Sequence, residues 1–341
     1  MSSPMVATHP FRLTCSSTTD RRHGLTLARY LDRWLTLCEG RGLRPATVAG
    51  YRTAIRLHID SQLGATPLER VSPRVLNELY HRLLSKGRKN GAGLSPRSVR
   101  YTHAILRKAL ADAVRLGYLD ANPASAADPP SARAARPPVF TTWSPSELAQ
   151  FLKSARRNPL YAAFHLAAAT GMRRGEILGV RWCDVNFDSR QLSVVQTIIE
   201  VAHTITVAPP KSDRSRRVIA LDEHTLSVLR EHRRTRERSE RRSASSHHSL
   251  LFTKPDGSPL HPACFSYAFN QAVKAAGVPK IRFHDLRHGH ATMALLAGIH
   301  PKIVSERLGH STVSITLDIY SHALPSLQRE AAETVAALIP L

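Results

Sequence analysis

Acidic residues are scarce in this 341-residue chain: 26 Asp and Glu stand against 48 Lys and Arg, for a net charge of +22. Such an imbalance points to a polyanionic partner, nucleic acid first and an acidic membrane surface second. No apolar run approaches the roughly 20 residues that span a bilayer, and the N-terminus lacks the continuous apolar core of a secretory signal. The four cysteines (Cys15, Cys38, Cys183, Cys264) are far apart and form no CxxC pair, so a disulfide framework is not expected. Free thiols in a reducing cytosol are the expectation. There is no HExxH and no Cys/His spacing of a zinc site, and no internal repeat. What the chain does have is 42% hydrophobic residues, enough for two ordinary domains, each with its own core.

Residues 1–23 read as a polar, irregular tail. A helix begins near Thr26, where Leu27, Tyr30, Leu31, Trp34, Leu35 and Cys38 form one apolar stripe. A second helix follows Pro45. The segments 71–87 and 94–119 each open on a Ser-Pro pair, with the serine placed to cap and the proline at the first helical position. The polar faces of this region are rich in Arg, Lys and His without matching acids, which favours contact with a phosphate backbone over simple solvation. "ANPASAADPPSARAARPP" (121–138) has almost no apolar payload and reads as a linker. The expected organisation is a tail over 1–23, a helical domain over 24–120, a linker over 121–139 and a second domain over 140–341. In the second domain, Ser144 and Glu147 make a capping box around Pro145, ahead of helices at about 145–155 and 160–170. Strand-like runs follow at 191–197, 203–208 and 216–221, then a charged helix over about 223–243. An extended piece at 248–260 carries a Pro-Asp-Gly turn, and the remainder is helical. The fold class expected is mainly α with a small antiparallel β-sheet.

Several residues could carry chemistry. In "LAAATGMRRGEILGVRW" (166–182) a helix stops at Thr170-Gly171 and a new one starts at Arg173. Unpaired amides at such a start favour anions, so an arginine there makes a phosphate seat. The alternative for Arg173 is a surface pair with Glu176, three residues on. Lys211 sits in a turn before a strand, where a flexible ammonium can reach a leaving oxygen, or be simply charge in a basic loop. In "FHDLRHGHAT" (283–292), His284, Arg287 and His288 share one helical face. Arginine can hold two phosphate oxygens in a fork while a histidine donates or moves a proton. A metal site from His284, His288 and His290 is the rival, opposed by the arginine on the same face. "PKIVSERLGH" (301–310) reads as a helix with Leu308 as its buried anchor and Gly309 as its stop, presenting His310. Tyr320 follows ten residues later. A phenol is a poor nucleophile near neutral pH, with a pKa of about 10, and cations around the group it attacks can change that.

Taken together, "TGMRRGEI", "KSDRSRRVIAL", "HDLRHGHAT" and "LGHSTVSITLDIYSH" resemble, in order, the catalytic boxes and β-hairpin lysine segment of the tyrosine recombinases, the phage-integrase family of site-specific DNA recombinases. The helical region 25–119 resembles that family's core-DNA-binding domain. The one departure in the box around Arg287 is Gly289, where a small hydroxylated residue is common.

The resemblance implies two domains closing as a C-shaped clamp around duplex DNA. It implies that Arg173, Lys211, His284, Arg287 and His310 activate the DNA phosphate and that Tyr320 is the nucleophile, with no metal, ATP or other cofactor. It also implies a homo-tetramer on two duplexes, docked through a C-terminal helix at 326–338, and a cytoplasmic, nucleoid-associated protein of bacterial or phage origin. A DNA-bending accessory protein is left open. Residues 1–23 are too short for the arm-binding domain of lambda-type integrases, so the expectation is either a two-domain recombinase without arm-site regulation or a chain shortened at its N-terminus. Integration or excision of a mobile element is the leading reading. Resolution of chromosome or plasmid dimers, a metal-dependent nuclease and a non-catalytic DNA-binding regulator are the alternatives.

Overall fold

The computed structural model describes residues 24–136, 141–201, 204–210, 215–240, 250–310, 312–320, 332–333 and 335–339, without the side chains at 239, 240, 315 and 318–320. The chain divides into two compact units, Met1–Pro138 and Val139–Leu341.

The first unit is helical. Helix α1 (Leu27–Gly40) starts where the Thr26 hydroxyl accepts from the Arg29 amide, and the six stripe residues are its buried face. Helix α2 (Pro45–Ala54) continues through a π-helical turn, Ile55–Asp60, into the short α3 (Ser61–Leu63). Helices α4 (Pro73–Lys86) and α5 (Pro96–Arg115) open as the two Ser-Pro pairs demand, with Ser72 and Ser95 accepting from the amides of Val75 and Ser98. Trp34 is fully buried, and its indole N–H donates to Asp112 on α5 at 2.8 Å, which satisfies the only polar atom of a large apolar side chain.

Residues 121–130, expected as the start of a loose linker, are strapped to this unit. Ala124 is in its core, Arg100 donates to Pro130 O at 2.6 Å, and Asn77 Oδ1 accepts from the Asp128 amide at 2.7 Å. Composition misses this because the anchoring is done by backbone groups, which any residue carries.

The second unit is helical around two small antiparallel sheets. Helices α6 (Pro145–Ala155), α7 (Tyr161–Thr170) and α8 (Arg174–Gly179) come first, and the Ser144/Glu147 capping box is present. Strands β1 (Val185–Asn186), β2 (Gln191–Val194), β3 (Thr197–Val201), β4 (Thr204–Ala208) and β5 (Arg217–Ala220) follow. Then come α9 (Glu223–Glu240), α10 (Pro262–Ala276), α11 (Asp285–Leu296), α12 (Pro301–Leu308) and α13 (Val313–Tyr320). Phe151, Phe164, Phe265 and Phe269, all fully buried, form the centre of the core, with ring centroids 5.4–5.8 Å apart where they pair.

The run 191–197 is not one strand. β2 pairs with β1 and β5, the chain then changes sheets, and β3 pairs with β4 from Thr197↔Ala208 to Val201↔Thr204. The switch is decided by α8, which lies against β3 through glycines: a Cβ on Gly175 would strike Ile198 O, and one on Gly179 would come within 3.1 Å of Thr197 Cα.

Of the expected C-terminal helix, 326–338, residues 326–331 and 334 lie outside the described residues. Within 332–339, Val335, Leu338 and Ile339 are exposed. Among the described residues, no helix is long and apolar enough to cross a membrane.

Candidate active site

The site is built on two left-handed glycines. Helix α7 ends at Gly171 (φ 64°), where a Cβ would come within 2.5 Å of Leu308 Cδ2. Helix α12 ends at Gly309 (φ 68°), with Leu308 fully buried before it. Only glycine takes these angles without strain. The two turns interlock. Arg173, just after the first, donates through Nη2 to Gly309 O at 2.9 Å; Arg287, on the first turn of α11, donates through Nη1 to Gly171 O at 2.9 Å. Each arginine is therefore oriented by a turn remote in sequence, which removes the rotamer freedom an exposed arginine would have to lose on binding an anion.

Glu176 is not the partner in a surface pair. Its carboxylate is buried, taking Arg173 Nη1 on Oε1 at 2.8 Å, and both the Arg173 amide (3.0 Å) and Arg217 Nη2 (2.9 Å) on Oε2. The Arg173 amide is thus occupied by a carboxylate, and it is the guanidinium that remains to meet an anion. Burial raises the Glu176 pKa and Arg217 and Arg173 lower it, with the cations prevailing, so the group stays ionised.

The imidazoles join the arginines. His284 immediately precedes α11, without a side-chain capping bond, and lies 5.0 Å, ring to ring, from His288. Its pKa is pushed down to about 4, first by burial, then by His288 and Arg287, with Arg173 adding to the effect. His310 is pushed down to about 3 by burial, then by Arg287, Arg173 and His288. Arg173 bonds the residue before His310, and Arg287 bonds the residue two before Arg173, so the two arginines and His310 gather at the two turns, with His284 at the start of the same helix as Arg287. His310 Nδ1 is 2.8 Å from the hydroxyl of Thr316, a fully buried residue on α13.

Two expected members are not placed by this geometry. Lys211 lies outside the described residues. Tyr320 is the last residue of α13, which packs on α11 and α12, and its side chain lies outside the described set.

The rival metal triad loses a member. His290 faces away from His284 and His288: its Nδ1 donates to Ala168 O at 3.0 Å, and its Nε2 accepts from Arg307 Nε at 3.3 Å. His290 is held at about pKa 4, by burial first and Arg307 second.

The sequence reading missed Arg217, Arg307 and Thr316. For Arg217 a signal was available: it shares the alternating face of Ile219 and Leu221, both buried, so its side chain was due to point inward.

An acid-labile fold follows from the histidines. His284, His290 and His310 are neutral in the folded chain at pH 7 and stay so down to about pH 4 or 3, whereas in the unfolded chain they protonate near the ordinary value of 6.5. Below 6.5 the unfolded state therefore binds more protons, and stability falls as pH drops from about 7 toward 4. Urea midpoints at pH 7.5, 6.5 and 5.5 will decline in that order; a flat series contradicts the buried neutral imidazoles.

Gly289 offers the opposite kind of change. It lies inside α11, and a Cβ added there meets nothing closer than Thr142 Cβ at 4.0 Å, beside a small void lined by Trp143, Leu148 and Met293. Gly289→Ala is expected to stabilise the chain by up to about 1 kcal/mol, read as a raised urea midpoint with unchanged slope.

The phage integrase family model matches residues 142–326, more than half of the chain and all of this site, and the model of the phage integrase N-terminal SAM-like domain matches residues 26–84. The chain belongs to the phage integrase family. This family member is a tyrosine-type site-specific DNA recombinase, mostly helical with small antiparallel sheets. It is 28% identical over 330 residues to a tyrosine recombinase XerC-like protein of Caldanaerobacter subterraneus subsp. tengcongensis, covering 91% of this chain and 83% of that one. It is 25% identical over 304 residues to the ICEBs1 integrase of Bacillus subtilis, covering 87% and 79%. In fold it is similar to the Tn1549 transposon integrase in complex with transposon right end DNA (TM-score 0.74, 21% identity, 92% of this chain and 100% of that one). It is also similar in fold to a lambda integrase tetramer bound to a Holliday junction (TM-score 0.62, 20% identity, 89% and 81%).

Proposed function

We propose that the cluster of Arg173, His284, Arg287 and His310 seats a scissile phosphate of duplex DNA, and that Tyr320 is the nucleophile. The observation that supports this is the interlocking of the two arginines with the Gly171 and Gly309 turns, which holds two oriented cations at the turns that lead into Arg173 and His310. The Tyr320 hydroxyl oxygen attacks phosphorus and the P–O5′ bond breaks. The products are a 3′-phosphotyrosyl ester and a 5′-hydroxyl. The ester keeps the bond energy, so a 5′-hydroxyl from a second duplex reverses the step on a new partner.

Arg173 and Arg287 neutralise the non-bridging oxygens as charge builds in the transition state. In the tautomer in which the Thr316 hydroxyl donates to Nδ1, His310 presents Nε2–H as a third donor, uncharged at pH 7. His284, also neutral, accepts or positions the proton of the phenol. Lys211 is the candidate acid for the leaving 5′-oxygen. Its place in this scheme rests on its position ahead of β5.

The similarity to proteins named the ICEBs1 integrase and the Tn1549 transposon integrase favours integration and excision of a mobile element over resolution of dimers. The reaction takes place where the DNA is, in the bacterial cytoplasm. The test is a nicked suicide duplex bearing a core site obtained by selecting random duplexes for binding. A covalent protein–DNA band with the protein on the 3′ side is expected. A cleavage product with free ends, stopped by chelator, would replace this reading with a nuclease, and salt-sensitive binding without any adduct would leave a regulator.

Assembly is the finer part of the proposal. Val335, Leu338 and Ile339 are exposed, which suits a C-terminal segment that packs on a neighbouring copy to build a tetramer on two duplexes. A chain ending at Ser326 is expected to bind a single core site normally and to form no synaptic complex in a gel-shift assay with two duplexes. Normal synapsis by that chain removes the docking role.

A further inference from the structure

We infer that Arg217 is a positioning residue for strand transfer, setting the place of both the Arg173 guanidinium and the His310 turn from beneath. The inference rests on the reading of Arg173 and His310 as part of the phosphate seat.

Arg217 projects from β5 with its side chain only 7% exposed. Its Nη2 holds Glu176 Oε2 at 2.9 Å, its Nε donates to Arg307 O at 2.6 Å, and its Nη1 donates to Ser215 O at 3.0 Å. Each bond reaches a different part of the site. Glu176 is the carboxylate that orients Arg173. Arg307 O lies at the end of α12, two residues before Gly309. Ser215 begins the described chain after the segment that holds Lys211. Arg217 also lies directly under the second glycine turn, because a Cβ on Gly309 would come within 3.0 Å of its Nη1.

The charge arrangement explains why this position should matter to rate rather than to folding alone. Glu176 divides its two oxygens between two cations. Without Arg217 the buried carboxylate has one cation left and draws the Arg173 guanidinium inward, away from an incoming phosphate. Without the bond to Arg307 O, the end of α12 loses its support, and with it the Gly309 carbonyl that orients Arg173 and the backbone that presents His310. A lysine keeps the charge for Glu176, but one ammonium cannot reproduce a planar fork bonded in three directions. Arg217 touches no reacting atom. Its effect passes through Arg173 and His310, on the phosphate side of the reaction and not on the leaving-group side.

The test compares the wild-type chain with Arg217→Lys and Arg217→Met on three suicide duplexes. They differ at the scissile linkage: an ordinary phosphodiester, a methylphosphonate with no charge on its non-bridging atoms, and a 5′-bridging phosphorothiolate whose thiolate leaves without an acid. On the phosphodiester, Arg217→Lys is expected to form adduct about 10- to 100-fold more slowly, the scale of loss when a catalytic group is displaced by about 1 Å, with binding to the core duplex unchanged. On the methylphosphonate the gap from wild type is expected to close to a few-fold, because there is less anionic charge for Arg173 to meet. On the phosphorothiolate the gap is expected to remain. Should Arg217→Met fail to fold, as judged by circular dichroism, Arg217→Lys carries the comparison alone. A wild-type rate for Arg217→Lys on the phosphodiester overturns the inference. So does a gap that persists on the methylphosphonate, which marks a general loss of structure. A gap that closes on the phosphorothiolate also overturns it, because Arg217 then acts through the leaving-group acid. If the wild-type chain forms no adduct on any duplex, the seat itself is misread and the inference falls with it.

Discussion

A Tyr320→Phe chain is expected to bind its core duplex as the wild type does and to form no covalent complex with it. The substitution removes one oxygen from the last residue of α13 and keeps the ring, so binding through the basic surfaces is expected to persist. What is lost is the only atom proposed to bond to phosphorus. Removing a nucleophile leaves catalysis by the remaining donors alone, and losses of about 10⁴-fold or more are the usual scale. The measurement is the covalent band on the suicide duplex, with gel-shift affinity as the control. A band that persists in Tyr320→Phe places the nucleophile elsewhere. Failure of both band and binding would indicate that the phenol matters to structure.

The second large effect is expected at Glu176. Glu176→Ala leaves Arg173 and Arg217 facing each other across a site from which the shared anion has gone, and Arg217 is almost wholly buried. Removing one partner of a buried ion pair costs about 3–5 kcal/mol, because the remaining charge is stranded in a poorly solvating place. Urea unfolding should show that loss as a lowered midpoint, and adduct formation should fall with it as Arg173 loses its orientation. A double change, Glu176→Met with Arg217→Met, separates the two roles. With no charge left buried, much of the stability returns, while the rate of adduct formation stays low. If the double variant recovers the rate as well, the ion pair is a packing element and does not position Arg173.

Much of this protein could be read along the chain because the deciding interactions are short in sequence. Ser72, Ser95 and Ser144 each bond an amide three residues away, and the prolines after them pre-set the first helical turn. The stripe from Leu27 to Cys38 is buried as its spacing demands. Gly309 stops α12 because the preceding residues are helical and a left-handed angle is needed next. The order of Arg173, His284, Arg287, His310 and Tyr320 was legible for the same reason: each sits at a helix end or on a helix face that its neighbours define.

What the chain could not show is how those pieces face one another. The bonds that shape the site join Arg173 to Gly309 across 136 residues, Arg287 to Gly171 across 116 and Arg217 to Glu176 across 41. No local spacing encodes such pairs, so a surface pair with Glu176 stood as the alternative for Arg173, Arg217 was not singled out, and His290 stood in the rival metal cluster. The break between β2 and β3 was hidden likewise, since it depends on glycines of α8 lying against β3. The sequence by itself determined the helices, their caps and the types of residue offered for catalysis, through contacts within a turn or two of backbone. Only the tertiary structure decided which arginine stays partly exposed and which is buried behind it. That choice depends on the solvation and charge of neighbours brought together from opposite ends of the catalytic unit.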